Sequence, residues 1–297
     1  AWFNGNFRIY LELRKRVLIF VSNRNQRAKI AHETVETLSR GFYKTNSGVK
    51  VDIESDLEYA VDNTELYKPG DFKDLQIPVG KSFNTEIEVT NESTLEAGQR
   101  LNSPGSNDPF VLNFASARNP GGGFLNGSGA QEESLARATG LYVCISEITE
   151  YYQKNRQSGT GLYTDNMIYS PKVPVIRNSK GDYLESPFKI SVLTAPAANR
   201  RVVEENEPGR LSEVRPTMDE RIKKVLLVAA DRDHGKLVLG AWGCGVFGND
   251  PEVVASLFEK YLKPEKTFFG TFEKVTFAIL DSPEGNTYDT FKRILDQ

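Results

Sequence analysis

The feature of this sequence that most limits its fold is a pattern that occurs twice, in which a short apolar stretch leads through a glycine-rich stretch into a helix. The first copy comprises 110–114, the glycine-rich residues 119–129 and a helix from about Gln131. The second comprises 237–241 and a helix over 251–262. Strands and helices alternate in this way from about residue 105 onward, which predicts an α/β fold with a largely parallel sheet and helices on both faces. Because ligands of such sheets bind at the carboxyl ends of the strands, we expect both glycine-rich loops at one functional edge.

The N-terminal third of the sequence is predicted to contain helices and a few short strands. Its predicted elements are a helix over 24–41, a strand over 49–53, a helix over 55–65, a loop over 68–82, a strand over 85–90 and a helix over 93–101. Residues 1–23 fit either two strands, at 9–13 and 17–21, or a helix broken by charges. Residues 102–109 carry two prolines and a glycine, which is typical of a segment boundary. We therefore expect an N-terminal, mostly helical extension over 1–105, packed on a core over 106–297.

The composition excludes several classes of function. Lys plus Arg is 37 and Asp plus Glu is 40, so the formal charge of −3 provides no general basic field for nucleic acid or for an anionic membrane. The apolar run at 17–21 is too short to span a bilayer. Two cysteines, Cys144 and Cys244, do not amount to a disulfide framework in a chain of 297 residues. We expect an intracellular, cytoplasmic protein that binds neither membrane nor DNA directly.

The chain has only two histidines, His32 and His234. A histidine-rich zinc site is therefore impossible, and two thiols are too few for a cysteine-based one. A Ser-His-Asp triad would have to use one of the two histidines, and a structural or surface role is expected for each. What remains is carboxylate chemistry or no chemistry, with no metal and no cofactor expected.

The first glycine-rich loop contains the run Gly121-Gly122-Gly123, and the following helix opens with Gln131-Glu132-Glu133. Three consecutive glycines are costly in backbone entropy, and a close approach of the backbone to a ligand would justify that cost. On the glycines alone, a flexible turn is the favoured interpretation. Two glutamates in the first turn of a helix are likewise common, because the helix dipole favours them there.

The combination is more specific than its parts. Three glycines, seven further residues and then Gln-Glu-Glu, placed between a buried strand and a helix, resemble the signature of the poly(ADP-ribose) glycohydrolases, and the stretch 113–123 resembles their microbial-type branch. The resemblance implies a macrodomain-like three-layer α/β/α sandwich with a mixed, largely parallel sheet. It also implies that Glu133 is the catalytic residue, that Glu132 belongs to the catalytic pair beside it, and that Glu132 and Gln131 hold ribose hydroxyls and the loop. The remaining implied contacts to the terminal ADP-ribose come from Asn119, Gly121, Gly122 and Gly123.

The second glycine-rich loop follows the strand at 237–241. Its small residues allow successive backbone N–H groups to face a diphosphate, with a helix dipole behind them. A tight turn around core Trp242 and Phe247 is the alternative. The loop resembles the diphosphate-binding loop of the same family, which implies substrate contacts from Gly243, Cys244, Gly245, Val246 and Phe247, the last lying against the nucleotide or its ribose. Cys244 is expected to be a small filler rather than a nucleophile.

The chemistry of this family suits a carboxylate site. Cleavage of a ribose–ribose bond passes through an oxocarbenium-like state, and it needs an acid for the leaving 2′-oxygen and a base for water. One carboxyl group can do both in sequence. Adjacent residues of a helix point about 100° apart, so Glu132 and Glu133 are not expected to flank the bond as an acid–nucleophile pair. A helix N-terminus lowers a carboxyl pKa whereas a general acid needs it raised, so burial would have to compensate.

The resemblance implies an enzyme that releases ADP-ribose from poly(ADP-ribose), mainly from the chain end. Its partners would be poly(ADP-ribose) or ADP-ribosylated proteins and the ADP-ribose product, and the protein is expected to be a monomer. Two alternatives remain at this point, which are a macrodomain-like module that binds ADP-ribose without cleaving it and a hydrolase of mono-ADP-ribose. The Gln-Glu-Glu run favours the enzyme over the binding module.

Overall fold

The computed structural model of the protein describes residues 23–79, 82–103 and 107–296. A seven-stranded sheet lies at its centre, and a two-stranded sheet lies apart from it. The strands are, in chain order, β1 (Phe42–Lys44), β2 (Lys50–Asp52), β3 (Glu65–Tyr67), β4 (Glu86–Thr90), β5 (Phe110–Phe114), β6 (Met167–Arg177), β7 (Tyr183–Ala195), β8 (Lys236–Leu239) and β9 (Lys274–Ala278).

The large sheet has the strand order β3-β6-β7-β5-β8-β9-β4. β5 pairs in parallel with β7 and β8, and β9 pairs in parallel with β8 and β4. β6 runs antiparallel to both β7 and β3. The prediction of a mixed, largely parallel sheet is confirmed. Because β5 and β8 are parallel neighbours, the loops that follow them lie at the same edge of the sheet, as predicted.

Helices cover both faces of the sheet. They are α1 (23–40), α2 (Glu54–Asp62), α3 (Thr94–Leu101), α4 (Gln131–Ala138), α5 (Leu141–Ser146), α6 (Thr149–Gln157), α7 (Arg200–Asn206), α8 (Val214–Asp231), α9 (Pro251–Leu262) and α10 (Thr287–Leu295). Strand β5, buried except for the half-buried Phe114 at its end, divides its side chains between the two layers. Phe110 and Leu112 pack with α8, α9 and α10, whereas Val111 packs with α3 to α6. This alternation makes the predicted three-layer sandwich, and it explains why β5 is almost continuously apolar.

Helix α1 fixes the first glycine-rich loop from outside the sheet. Its Ala31 is fully buried and packs against Phe124 of the loop and Ala136 of α4. Phe124 begins a short 3-10 helix, Phe124–Asn126, which stiffens the middle of the loop. The loop is therefore an ordered element, held by packing against α1 and α4 and by its own 3-10 helix, rather than the flexible turn considered above.

The predicted division at residue 105 does not coincide with a boundary of the sheet. Strands β3 and β4 come from the range 1–105, and they form the two edges of the seven-stranded sheet. The first of them is only three residues long, which is too short for its alternation to be recognised. The predicted strands at 9–13 and 17–21 lie outside the described residues. Among the residues that the structure describes, no helix has the length and apolar character needed to cross a membrane.

Candidate active site

The two carboxylates of Glu132 and Glu133 give a sufficient reason for a glycine at residue 122. Gly122 has a left-handed backbone with φ +58°, and a Cβ there would lie 2.4 Å from Glu133 Oε1 and 3.1 Å from Glu132 Oε2. A side chain at this position would therefore displace both carboxylates. The two neighbouring positions are glycine for similar steric reasons. A Cβ at Gly121 would meet the Phe124 side chain, and a Cβ at Gly123 would meet the Ser128 side chain. None of the three glycines lines the cavity described below, although the family resemblance implies ligand contacts for them.

Glu132 is buried below the loop, with only 3% of its surface exposed. Its Oε2 accepts a hydrogen bond from Ser116 N–H at 2.7 Å, and its Oε1 lies 3.4 Å from Asn113 Nδ2. Burial raises the pKa of Glu132 to about 8, the Ser116 N–H acts in the opposite direction, and the charge of Glu133 adds to the rise. Burial thus outweighs the hydrogen bonds that favour the charged form of Glu132.

This raised pKa gives a testable dependence of stability on pH. An unfolded chain releases the Glu132 proton near the usual pKa of 4.5, whereas the folded protein keeps it to about pH 8. The stabilising contribution is therefore fully present below pH 4.5 and is lost as the pH rises through 8. Because glutamine does not ionise, we expect wild type to lose more free energy of unfolding than Glu132→Gln between pH 5 and 8.5. Denaturant titrations of both proteins measure the difference, and parallel pH profiles would contradict the assigned direction.

Glu133 differs from its neighbour in facing open space. Its side chain is half-buried and its Oε1 accepts a hydrogen bond from Gly123 N–H at 3.0 Å. Although successive helical residues point about 100° apart, both carboxylates reach Gly122, because they belong to the first turn of α4. Both carboxylates accept a backbone N–H and border the same cavity, but Glu132 is almost fully buried whereas Glu133 is half-buried. This arrangement favours a single working carboxylate.

Gln131 connects α4 to β5 through all parts of its amide. Its Oε1 accepts from Phe114 N–H at 2.9 Å, and its Nε2 donates to the Leu112 carbonyl at 2.8 Å and to Thr94 Oγ1 at 3.2 Å. These bonds fix the start of α4, and with it the two glutamates, relative to the end of β5. Gln131 therefore holds the start of α4 against the end of β5.

A cavity of about 990 Å³ opens at the carboxyl ends of β5, β8 and β9. Of the residues singled out in the sequence, it is lined by Asn119, Gln131, Glu132, Glu133 and Gly243 to Phe247. Asn119 is exposed at its wall, and its carbonyl accepts a hydrogen bond from Gly122 N–H at 3.0 Å. The two loops recognised separately in the sequence thus border one space, whereas neither histidine lines it.

The second loop presents a row of unused backbone donors to this cavity. Within the parts of the chain that the structure describes, the N–H groups of Gly243, Gly245, Val246 and Phe247 have no hydrogen-bond partner. Asn249 holds the loop from behind, since its Nδ2 donates to the Ala198 carbonyl at 2.8 Å and lies 3.3 Å from the Gly243 carbonyl. Several N–H groups pointing into one concavity form an anion-binding nest.

The side chains of the second loop have distinct environments. Trp242 is fully buried below the loop, Val246 is 74% exposed, and the Phe247 ring lies 6.2 Å from the ring of Tyr163. Burial raises the pKa of the Cys244 thiol to about 12, so the thiol stays protonated near neutral pH. A protonated thiol is a poor nucleophile, which agrees with the expected filler role of Cys244.

Sequence reasoning missed several residues of the cavity wall. Tyr163 is a non-glycine residue with φ +58°, a strained conformation that concentrates at functional sites. Arg27 of α1, Arg137 of α4 and Arg177 of β6 also line the cavity. No local signal marks these arginines, because three distant segments bring them together. Among the described residues, no group of three or more His, Cys, Asp or Glu side chains could hold a metal ion.

Comparisons with known proteins agree with this geometry. The family model for the catalytic domain of microbial-type PARG matches residues 31–178. The structure is similar to that of the poly(ADP-ribose) glycohydrolase from Thermomonospora curvata, with 42% identity and a TM-score of 0.86, over 91% of this chain and 99% of that one. A complex of the same protein with the inhibitor ADP-HPD gives a TM-score of 0.84 at 42% identity, over the same shares of both chains.

A second bacterial structure is also similar. The poly(ADP-ribose) glycohydrolase from Deinococcus radiodurans, solved in complex with ADP-ribose, has 45% identity and a TM-score of 0.74, over 80% of this chain and 95% of that one. The comparison with curated proteins gives no match.

Proposed function

The chain belongs to the poly(ADP-ribose) glycohydrolases, and from this membership we propose that it hydrolyses the ribose–ribose O-glycosidic bonds of poly(ADP-ribose) and releases ADP-ribose. One observation carries the proposal for this chain's own residues. A carboxylate oriented by a backbone donor and a row of unused N–H groups border the same cavity. The first supplies acid–base chemistry, and the second suits the diphosphate of a nucleotide sugar.

The terminal ADP-ribose unit is bound through its diphosphate by the second loop. The N–H groups of Gly243, Gly245, Val246 and Phe247 donate to the phosphate oxygens, which spreads the negative charge over four backbone dipoles. Phe247 and Tyr163 offer their rings to the nucleotide or its ribose. Asn119, exposed beside the first loop, is placed to contact the ribose.

Glu133 carries out both proton transfers. As the C1″–O2′ bond breaks, its carboxyl proton passes to the leaving 2′-oxygen, and an oxocarbenium-like ribosyl group remains. A water molecule then adds to C1″ and returns a proton to Glu133, so the enzyme ends in its starting state. The Gly123 N–H holds Glu133 in place for both steps.

Glu132 supports this chemistry from below. Burial raises the pKa of Glu132 to about 8, so Glu132 is largely protonated at neutral pH. The two adjacent carboxyl groups therefore do not both carry a negative charge. Its bond to Ser116 N–H also fixes the backbone between β5 and the glycines. It is therefore a positioning residue in this proposal, and Glu133 is the catalytic residue.

The protein is proposed to act mainly from the polymer end, as a monomer in the cytoplasm, on poly(ADP-ribose) or ADP-ribosylated proteins. A cavity with one diphosphate-binding loop beside the working carboxylate supports a preference for a terminal unit, since that unit needs to place only one diphosphate and one glycosidic bond. The net charge of −3 supports recognition by local donors rather than by a general basic surface.

Digestion of size-fractionated poly(ADP-ribose) tests the function. We expect free ADP-ribose to appear from the first time point while the mean polymer length decreases gradually, with chromatography and gels as the readouts. A mono-ADP-ribosylated glutamate peptide serves as the comparison substrate, and slow or no release is expected from it. Binding of ADP-ribose with no release from polymer would instead indicate a non-catalytic module, and release from the peptide alone would indicate a mono-ADP-ribosyl hydrolase.

A further inference from the structure

The lining of the cavity continues beyond Glu133 along α4. Ser134 and Arg137, one and four residues after Glu133, both line it. Gln131 ties the start of α4 to the end of β5, and Thr139 just after α4 bridges to Val175 of β6, so α4 runs along the sheet from β5 toward β6. We call this part of the cavity the α1–α4 arm, because Arg27 and Ile30 of α1 form its other wall.

Three arginines bind successive carbonyls of the first loop beside this arm. Arg24 Nε donates to the Asn126 carbonyl at 2.9 Å, Arg27 Nε donates to the Gly127 carbonyl at 2.8 Å, and Arg137 Nη1 donates to the Ser128 carbonyl. Arg27 and Arg137 line the cavity, whereas Arg24 does not. The absence of a side chain at Gly129 lets Arg27 lie across the loop, since a Cβ there would be 3.2 Å from its Nε.

The positive charges of Arg27 and Arg137 in this arm are not balanced by ion pairs with the described part of the chain. No carboxylate among residues 23–79, 82–103 and 107–296 forms an ion pair with Arg27 or Arg137. Arg137 is 9% exposed, and its pKa is lowered to about 10 by burial and by the charge of Arg27, while Glu133 acts in the opposite direction. Within the described chain, Nη1 and Nη2 of Arg27 have no hydrogen-bond partner.

Two adjacent, unneutralised guanidinium groups at a cavity wall are suited to phosphate oxygens. The bond to be cleaved joins the terminal unit to the 2′-oxygen of the next adenosine, and the 5′-carbon of that adenosine bears a diphosphate. If the terminal unit occupies the second loop and Glu133 contacts the 2′-oxygen, that second diphosphate must lie beyond Glu133. The cavity volume, about 990 Å³, is at the upper end of the range for small-molecule pockets, which leaves space for part of a second unit.

We propose that the α1–α4 arm, through Arg27 and Arg137, binds the diphosphate of the leaving ADP-ribose unit. This inference rests on the proposed glycohydrolase function and extends it to a second anion subsite. Its consequence is a preference for leaving groups that carry a diphosphate, which favours polymer over shortened substrates. Arg27 and Arg137 contact only the leaving unit. The affinity of the second loop for the ADP-ribose product should therefore not depend on these two arginines.

Two substrates and three variants test the subsite. The substrates are the ADP-ribose dimer linked 1″→2′ and an analogue in which ADP-ribose is linked to the 2′-oxygen of adenosine without its diphosphate. We expect Arg27→Gln to lower kcat/KM for the dimer about tenfold and to leave the analogue unchanged. Arg27→Lys keeps the charge and should recover most of the loss. Arg24→Gln is the matched control, because it removes the same kind of loop contact from the same helix outside the cavity.

Each outcome is distinguishable. Equal losses on both substrates would mean that Arg27 only positions the first loop, and this would overturn the subsite. Activity unchanged on both substrates would overturn it as well, as would equal effects of Arg24→Gln and Arg27→Gln on the dimer. If wild type cleaves neither substrate, the glycohydrolase proposal itself fails.

Discussion

Glu133→Gln is expected to lower the rate of ADP-ribose release from poly(ADP-ribose) by about 10³-fold, the middle of the range for loss of general acid–base catalysis. Glutamine keeps the size of the side chain and an oxygen that can accept from Gly123 N–H, so the loop should retain its conformation. It cannot give a proton to the leaving oxygen or take one from water. Single-turnover release measures the rate, and calorimetry with ADP-ribose measures binding, which should remain close to that of wild type.

The matched control for this variant is Glu252→Gln. Glu252 also lies in the first turn of a helix, α9, but it is outside the cavity. The Glu252→Gln variant should therefore cleave poly(ADP-ribose) as fast as wild type. Substantial polymer cleavage by Glu133→Gln would transfer the catalytic role to another group, with Glu132 as the first candidate. A joint loss of cleavage and ADP-ribose binding would instead indicate a collapsed site.

The position of Glu133 could be predicted from the sequence because every step was local. The apolar run at 110–114 and the helix from Gln131 were both confirmed, as β5 and α4. A strand buried on both faces and a helix that begins after a glycine-rich stretch each have a clear composition. The second loop was placed correctly for the same reason, since Pro251 marks the start of α9.

What could not be predicted depends on contacts between distant segments. Helix α5 has six residues, Leu-Tyr-Val-Cys-Ile-Ser, whose apolar and β-branched content resembles a strand, and its helical form is fixed by burial. Arg27 reaches the cavity because α1 docks on a loop one hundred residues away. The contact of Gly122 with the two carboxylates could not be predicted either, because the sequence does not reveal that two glutamates about ten residues later fold back onto it.

Gly122→Ala is expected to abolish most activity. Its loss in free energy of unfolding should be little more than the cost of placing an alanine in a left-handed backbone conformation. The left-handed conformation at φ +58° costs an alanine about 1–2 kcal/mol. The new Cβ, 2.4 Å from Glu133 Oε1, must also push the carboxylate aside. That carboxylate is the end of a flexible side chain, so it can move at small cost to the fold. A displacement of this kind should lower kcat at least about a hundredfold, because catalysis depends on position to within about an ångström.

Gly159→Ala separates the two effects. Gly159 has nearly the same backbone, with φ +64°, but an added Cβ would meet nothing within 4 Å. Both variants should lose similar free energy of unfolding in denaturant titrations, while only Gly122→Ala should lose activity on poly(ADP-ribose). Since backbone strain is common to the pair, any difference in kcat reports the position of the carboxylates. Full activity of a folded Gly122→Ala would mean that the carboxylates need not occupy these positions, and the proposed role of Glu133 would then be wrong.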